Sequence, residues 1–319
     1  MGVMVDGTWQ QEDFEKRNRS GRYLRATTAF RDRVGDDAGA PFPAAAGRYH
    51  LIVAHACPWA HRTLIFRALK GLQDAISVAF VEPLMLDNGW EFGPGGDPVT
   101  GAEFNHQVYA KAAPDYSGRC SVPVLWDRER ETIVNNESAE IIRMLNGAFD
   151  AFADNEVADL YPAELRAEID AVNELVYENI NNGVYKCGFA TTQAAYEAAF
   201  DALFAALDEV EARLAQQRYL TGPRITEADW RLFPTLVRFD SVYVGHFKCN
   251  RQRIEDYPNL SNYLRELYQW PGIAETVDLP RTKQHYYGSH RSINPFAIVP
   301  KGPALDLTLP HDRDRLPAA

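Results

Sequence analysis

Residues 50–56 read HLIVAHA, an apolar run of the length of a buried strand, and over 58–70 apolar residues recur at Leu64, Ile65, Ala68 and Leu69 with helical spacing. A second apolar run, AISVAFV at 75–81, completes a βαβ unit with the usual right-handed crossover. VPVLW at 122–126 and ETIV at 131–134 predict two further strands joined by a polar turn, and ESAEIIRML at 137–145 predicts a helix after them. Residues 82–118, rich in Gly, Pro and Asp and including GWEFGPGG at 89–96, read as an irregular stretch. A loop of that length inside a compact domain is uncommon and often functional. The polar, acidic residues up to 159 read as a linker, and from 162 onward the period is helical, with amphipathic segments at 165–181, 192–216, 226–243 and 260–268. Thr226-Glu227-Ala228-Asp229 has the form of a capping box with Asp in the place of Glu, so Thr226 is expected to satisfy free amides at a helix start.

The order βαβ then ββα is that of a thioredoxin-like sheet. The chain is therefore expected to comprise an extension at 1–46, an α/β thioredoxin-like domain at 47–147, a linker at 148–160, an all-α domain at 161–274 and a second extension at 275–319. Both extensions are expected to wrap the surface or to make a subunit contact.

Composition supports this division: 319 residues, 46% hydrophobic, are enough for two domains with cores of their own. The formal net charge of -11 favours solubility and opposes binding to nucleic acid or to anionic membranes. No secretory leader is expected from the polar, acidic opening residues, no long apolar run occurs in the sequence, and Asp6 spoils the myristoylation pattern after Gly2. The four cysteines, at 57, 120, 187 and 249, follow no zinc-finger or CxxC pattern, which points to reduced thiols in a reducing compartment, the cytoplasm.

Cys57-Pro58-Trp59-Ala60 stands between the first strand and the first helix. A thiol there faces free backbone amides and the positive end of the helix, which favour its thiolate. Pro58 fits the first helical turn. Ala60 takes the place of the second cysteine of a CxxC pair, so a separate thiol must resolve any mixed disulfide on Cys57, as in single-cysteine glutathione chemistry. A buried structural cysteine is the plainer alternative. A metal site from His50, His55, Cys57 and His61 is another, although a strand followed by a helical turn does not converge these four side chains on one point.

Pro123 stands just before a strand interior, where a proline is cis or else marks an edge or a strand start. A cis-proline in a thioredoxin-like sheet presents the preceding backbone, here that of Val122, to the cysteinyl part of glutathione. Asn136-Glu137-Ser138 opens the last helix of the domain, where amides and the Ser138 hydroxyl suit a carboxylate and Glu137 an ammonium group. An ordinary helix cap explains the same three residues.

With these residues placed, the chain resembles the glutathionyl-hydroquinone reductases, the Xi class of glutathione transferases. The resemblance rests on CPWAHRTLIFRALKG at 57–71, GW at 89–90, DYSGR at 115–119, VPVLWD at 122–127, TIVNNESAEIIRMLN at 132–146, NNGVYKCGFATTQ at 181–193, TEADWRLF at 226–233, HFKCN at 246–250, DYPNL at 256–260 and HYYGSHRSINP at 285–295. It implies glutathione transferase architecture, a homodimer, glutathione as co-substrate with no metal, and an aromatic glutathionyl-hydroquinone as substrate. Cys57 would be the nucleophile, with Trp90, Arg119, Val122, Glu137 and Ser138 around glutathione. Tyr185 and Tyr287 would line the aromatic pocket and supply protons. General deglutathionylation or dehydroascorbate reduction, as in the Omega class, is the nearest rival activity, and a non-catalytic glutathione-fold binding module is a further one. The family usually has Val where this chain has Cys120, a thiol expected to make the protein more easily oxidised.

Overall fold

The computed structural model describes residues 2–11, 20–35 and 39–318; residues 12–19 and 36–38 of the expected N-terminal extension lie outside the described residues. The chain forms two compact units, Met1–Arg17 with Arg25–Ala158 and Pro280–Ser289, and Asn18–Leu24 with Asp159–Leu279 and His290–Ala319.

The first unit opens with a hairpin of β1 (Val3–Val5) and β2 (Thr8–Gln10) and a parallel pair of β3 (Val34–Gly35) and β4 (Phe42–Pro43). Its main sheet comprises β5 (Tyr49–Val53), β6 (Ile76–Leu86), β7 (Gly89–Phe92), β8 (Val124–Asp127) and β9 (Thr132–Asn135), in the order β7-β6-β5-β8-β9. β5 lies centrally, parallel to β6 and antiparallel to β8. All five of its residues are buried, which is why it reads as an uninterrupted apolar run rather than an alternating one. Helix α1 (Pro58–Leu69) crosses from β5 to β6 and packs with α3 (Ser138–Gly147), while α2 (Asn105–Ala112) packs on β7 and β9. The expected βαβ and ββα halves are thus present as β5-α1-β6 and β8-β9-α3.

The stretch expected to be irregular contains an added strand and a helix. β6 runs past Val81 to Leu86, and the register with β7 shifts between Val81 and Met85. This irregularity accommodates Pro83, which has no amide to give to a regular ladder. Asp87 and Asn88 turn the chain, and Gly89 adopts φ +73°. Asp97, beyond β7, holds its loop to the sheet. Its Oδ1 lies 2.9 Å from His50 Nε2, and its Oδ2 accepts from the amide and hydroxyl of Thr100, both at 2.6 Å. Burial opposes charge on Asp97, yet the hydrogen bonds from His50 and Thr100 outweigh it and hold the carboxyl below its ordinary range.

The C-terminal extension also contains a helix, α9 (Leu279–Ser289), whose residues from Pro280 onward belong to the first unit. Thr282, His285, Tyr286 and Ser289 are its buried face. Thr282 Oγ1 donates to His55 O at 3.2 Å, His285 Nδ1 lies 2.9 Å from Pro83 O, and the Met85 amide donates to Ser289 Oγ at 3.0 Å. A Cβ on Gly288 would come within 2.6 Å of Leu84 Cδ2, so a residue without a side chain suits this approach.

The second unit is helical: α4 (Arg166–Val176), α5 (Gly183–Gly188), α6 (Gln193–Leu214), α7 (Glu227–Arg238) and α8 (Pro258–Tyr268). Wide π-helical turns, Tyr177–Asn181 and Phe239–Tyr243, extend α4 and α7. The expected capping box is formed: Thr226 caps α7, and Asp229 Oδ2 accepts from the Thr226 amide at 2.8 Å. Asp229 Oδ1 accepts from Leu220 N at 2.8 Å and Tyr263 Oη at 2.7 Å, tying α7 to the preceding turn and to α8.

Candidate active site

Cys57 is the N-cap of α1, and its half-buried thiol meets two backbone groups. The Ala60 amide donates to Cys57 Sγ at 3.4 Å, and Sγ donates to Val122 O at 3.4 Å. The first contact uses an amide that the helix start leaves without an intrahelical acceptor, and such an amide favours negative charge on sulfur. The second depends on the turn before β8, where the Val122-Pro123 bond is cis, as the sequence led us to expect. The main sheet thereby sets the thiol beside the Val122 backbone.

Glu137 is the N-cap of α3. Its Oε1 accepts from Ala139 N at 3.2 Å and its Oε2 from Thr28 Oγ1 at 3.2 Å, so the carboxylate holds both the helix start and the N-terminal segment. Ser138 is 2% exposed, and its Oγ accepts from Arg62 Nη1 at 3.5 Å. Arg62, absent from the expected site, is 1% exposed, and its guanidinium lies 4.6 Å from the Trp59 ring centroid. The Arg25 guanidinium lies 4.5 Å from the same centroid. A cation so thoroughly desolvated, beside Ser138 at a helix start, suits an anionic group such as a carboxylate. Its only sequence signal is an arginine inside the apolar part of α1, where the helical pattern expects core.

Trp90 is buried on β7, and its ring stacks on His285 of α9 with centroids 4.7 Å apart and planes 19° apart. Arg119 is half-buried in the segment before β8, where its carbonyl accepts from Tyr116 Oη at 2.9 Å. Tyr287 is half-buried on α9. Tyr185 belongs to the helical unit, half-buried on α5.

The remaining cysteines have other surroundings. Burial pushes the Cys120 thiol up, which favours its protonated form. Cys187 and Cys249 are buried in the second unit, where Cys249 Sγ donates to Phe247 O at 3.8 Å, and burial, with Cys187 nearby, pushes the Cys249 thiol up. Three residues of the metal alternative have other partners: His50 lies 2.6 Å from Ser77 Oγ and 2.9 Å from Asp97, the His55 ring stacks on Phe80 at 4.1 Å, and Cys57 meets the Ala60 amide and the Val122 carbonyl. Among the described residues no group of three or more His, Cys, Asp or Glu side chains is placed to hold a metal ion.

The models of the glutathione S-transferase N-terminal domain and C-terminal domain match residues 56–148 and 193–266. The chain is 52% identical to the glutathionyl-hydroquinone reductase YqjG of Escherichia coli, over 98% of this chain and 99% of that protein. An Xi class glutathione transferase from Natrialba magadii has a solved structure matching with TM-score 0.93 at 50% identity, over 100% of this chain and 98% of that one. This chain is an Xi-class glutathione transferase. The glutathione-bound structure of YqjG matches the transferase with TM-score 0.90 at 50% identity, over 98% of this chain and 99% of that one. The expected glutathione transferase architecture is the one observed, and glutathione is its co-substrate. No described helix of the transferase is long and apolar enough to cross a membrane.

Proposed function

We propose that the protein reduces glutathionyl-hydroquinones to free hydroquinones at the expense of glutathione. The observation that carries this reading is the Cys57 thiol at the start of α1, between the Ala60 amide and the Val122 carbonyl and with no second cysteine in its motif. The Cys57 thiolate attacks the sulfur of the aryl thioether. The carbon–sulfur bond breaks, its electron pair passes to the ring carbon, and that carbon takes a proton, so the ring is reduced while a Cys57–glutathione disulfide forms. A second glutathione thiolate then attacks this disulfide and releases glutathione disulfide and the Cys57 thiolate. Trp90, Arg119, Val122, Glu137 and Ser138 hold glutathione in this reading, and Tyr185 and Tyr287 deliver the ring proton.

The test is to incubate the purified protein with a glutathionyl-hydroquinone and glutathione and to quantify both products. One hydroquinone per glutathione disulfide, with a glutathione adduct on Cys57 when the second thiol is withheld, is the expected result. Hydroquinone release without that adduct overturns the covalent route. We further propose a homodimer working in the cytoplasm. Four free thiols suit a reducing compartment, and sedimentation of the purified protein checks the dimer.

A further inference from the structure

Tyr185 does not stand alone in the helical unit. Tyr23, from the N-terminal segment that belongs to this unit, lies 6.1 Å from Tyr185 with planes 28° apart and 5.5 Å from Phe189 with planes 26° apart. Tyr185 and Phe189 are themselves 6.2 Å and 18° apart. All three rings are half-buried. Behind them, fully buried Phe247 meets Tyr185 edge-on at 5.4 Å and Phe189 at 5.2 Å, and Tyr243 stacks on Phe247 at 5.5 Å. The result is a two-layer aromatic cluster with a sealed back and a partly open, near-parallel front, a surface suited to an aromatic ring.

Tyr23 is held in this cluster by backbone. Gly21 adopts φ +72°, and its carbonyl accepts from Thr191 N at 3.1 Å. A Cβ on Gly21 would lie 2.5 Å from Thr192 Oγ1, so glycine lets the segment reach the start of α6, just after Phe189. The anchoring is thus on the connection that carries Phe189 itself.

We infer that Tyr23 is a specificity-determining residue, its ring favouring aromatic over non-aromatic glutathione conjugates. The inference rests on the proposed function and names a determinant of its substrate class. The test compares kcat/KM for glutathionyl-p-hydroquinone with kcat/KM for the mixed disulfide of glutathione and mercaptoethanol, in the full-length protein and its Tyr23→Ala, Tyr23→Leu and Tyr23→Phe variants. Tyr23→Ala and Tyr23→Leu are expected to lower the aromatic-to-aliphatic ratio by about 3- to 10-fold, mostly through KM for the aromatic substrate, the size of one aromatic contact. Tyr23→Phe is expected to restore the ratio. The leucine variant keeps side-chain bulk, so its result stands if the alanine variant folds poorly. An unchanged ratio, equal losses on both substrates, or a phenylalanine variant as poor as alanine overturns the inference while leaving the proposed function in place. A wild-type protein inactive on the aromatic thioether but active on the mixed disulfide overturns the functional reading, and this inference with it.

Discussion

Cys57 Sγ donates to the carbonyl of Val122 across 3.4 Å, joining the start of α1 to the turn before β8. Two segments separated by 65 residues therefore meet at one sulfur, and the register of β5 with β8 keeps them there. The chemistry rests on sheet pairing as much as on the cysteine motif.

Cys57→Ser is expected to keep the fold and glutathione binding and to lose turnover by a factor of about 1,000 or more, since a hydroxyl stays protonated and forms no mixed disulfide. Steady-state rates beside a calorimetric titration with glutathione check this. Cys187→Ala and Cys249→Ala are expected to retain most activity, because neither thiol lies at a helix start. Residual turnover in Cys57→Ser near the wild-type rate would move the nucleophile elsewhere.

Much of this site could be read from residue order. The apolar run of β5, the helical period of α1 and Pro123 before β8 are local features, and local features survive in sequence. Long-range placements were concealed. β7 is only four residues long, and Pro83 and Pro94 around it suppress the strand signal, although Asn88-Gly89 is a recognised hairpin pair. α9 buries Thr282, His285, Tyr286 and Ser289 at helical spacing. A stripe of polar and aromatic residues does not look like a core face. Arg62 is a charge inside an apolar pattern, and only the start of α3 beside it explains its burial.

Trp90→Ala is expected to weaken glutathione binding by about 1 to 3 kcal/mol in a calorimetric titration if the indole contacts the ligand. Because the ring is buried against His285, the same change should cost on the order of 3 to 5 kcal/mol of stability by denaturant unfolding. His285→Ala keeps the indole but loses both the stack and the contact with Pro83 O, so a stability loss with near-normal glutathione affinity is expected. Unchanged affinity in Trp90→Ala would leave this residue as an anchor for α9 alone.

Asp229 sets a pH dependence of stability. Burial raises its carboxyl from 3.8 to about 6, against the opposing hydrogen bonds from Leu220, Thr226 and Tyr263. The folded chain therefore binds this proton more tightly than the unfolded chain, and between about pH 4 and 6 it holds more protons. Stability from this group is full below about pH 4, falls as pH rises through about 6 and is flat above, by on the order of 3 kcal/mol at about 1.4 kcal/mol per pH unit. Urea unfolding of wild type and Asp229→Asn across pH 4 to 8 isolates the contribution. The variant should be less stable than wild type, because an amide nitrogen meets donors where a carboxylate oxygen accepted, and the gap should narrow as pH rises. A gap constant with pH would show that Asp229 titrates near its ordinary value in the fold.

Tyr185 and Tyr287 offer the sharpest test of the reaction, because only cleavage of an aryl carbon–sulfur bond requires a proton at a ring carbon. Reduction of a glutathione mixed disulfide expels a thiolate, which needs little proton help. Tyr185 lies in the aromatic cluster of the helical unit, beside Phe189 and Phe247, and Tyr287 lies on α9, which His285 and Ser289 fasten to β6. Each phenylalanine variant keeps the ring and removes only the hydroxyl, so packing is largely retained. If these hydroxyls deliver the proton, the double variant Tyr185→Phe/Tyr287→Phe should reduce a glutathionyl-hydroquinone about 100- to 10,000-fold more slowly, the usual span for acid catalysis. The glutathione adduct on Cys57 should still form normally from the mixed disulfide. Equal losses on both substrates would assign the tyrosines a structural role, and unchanged rates on both would favour general deglutathionylation as the principal activity.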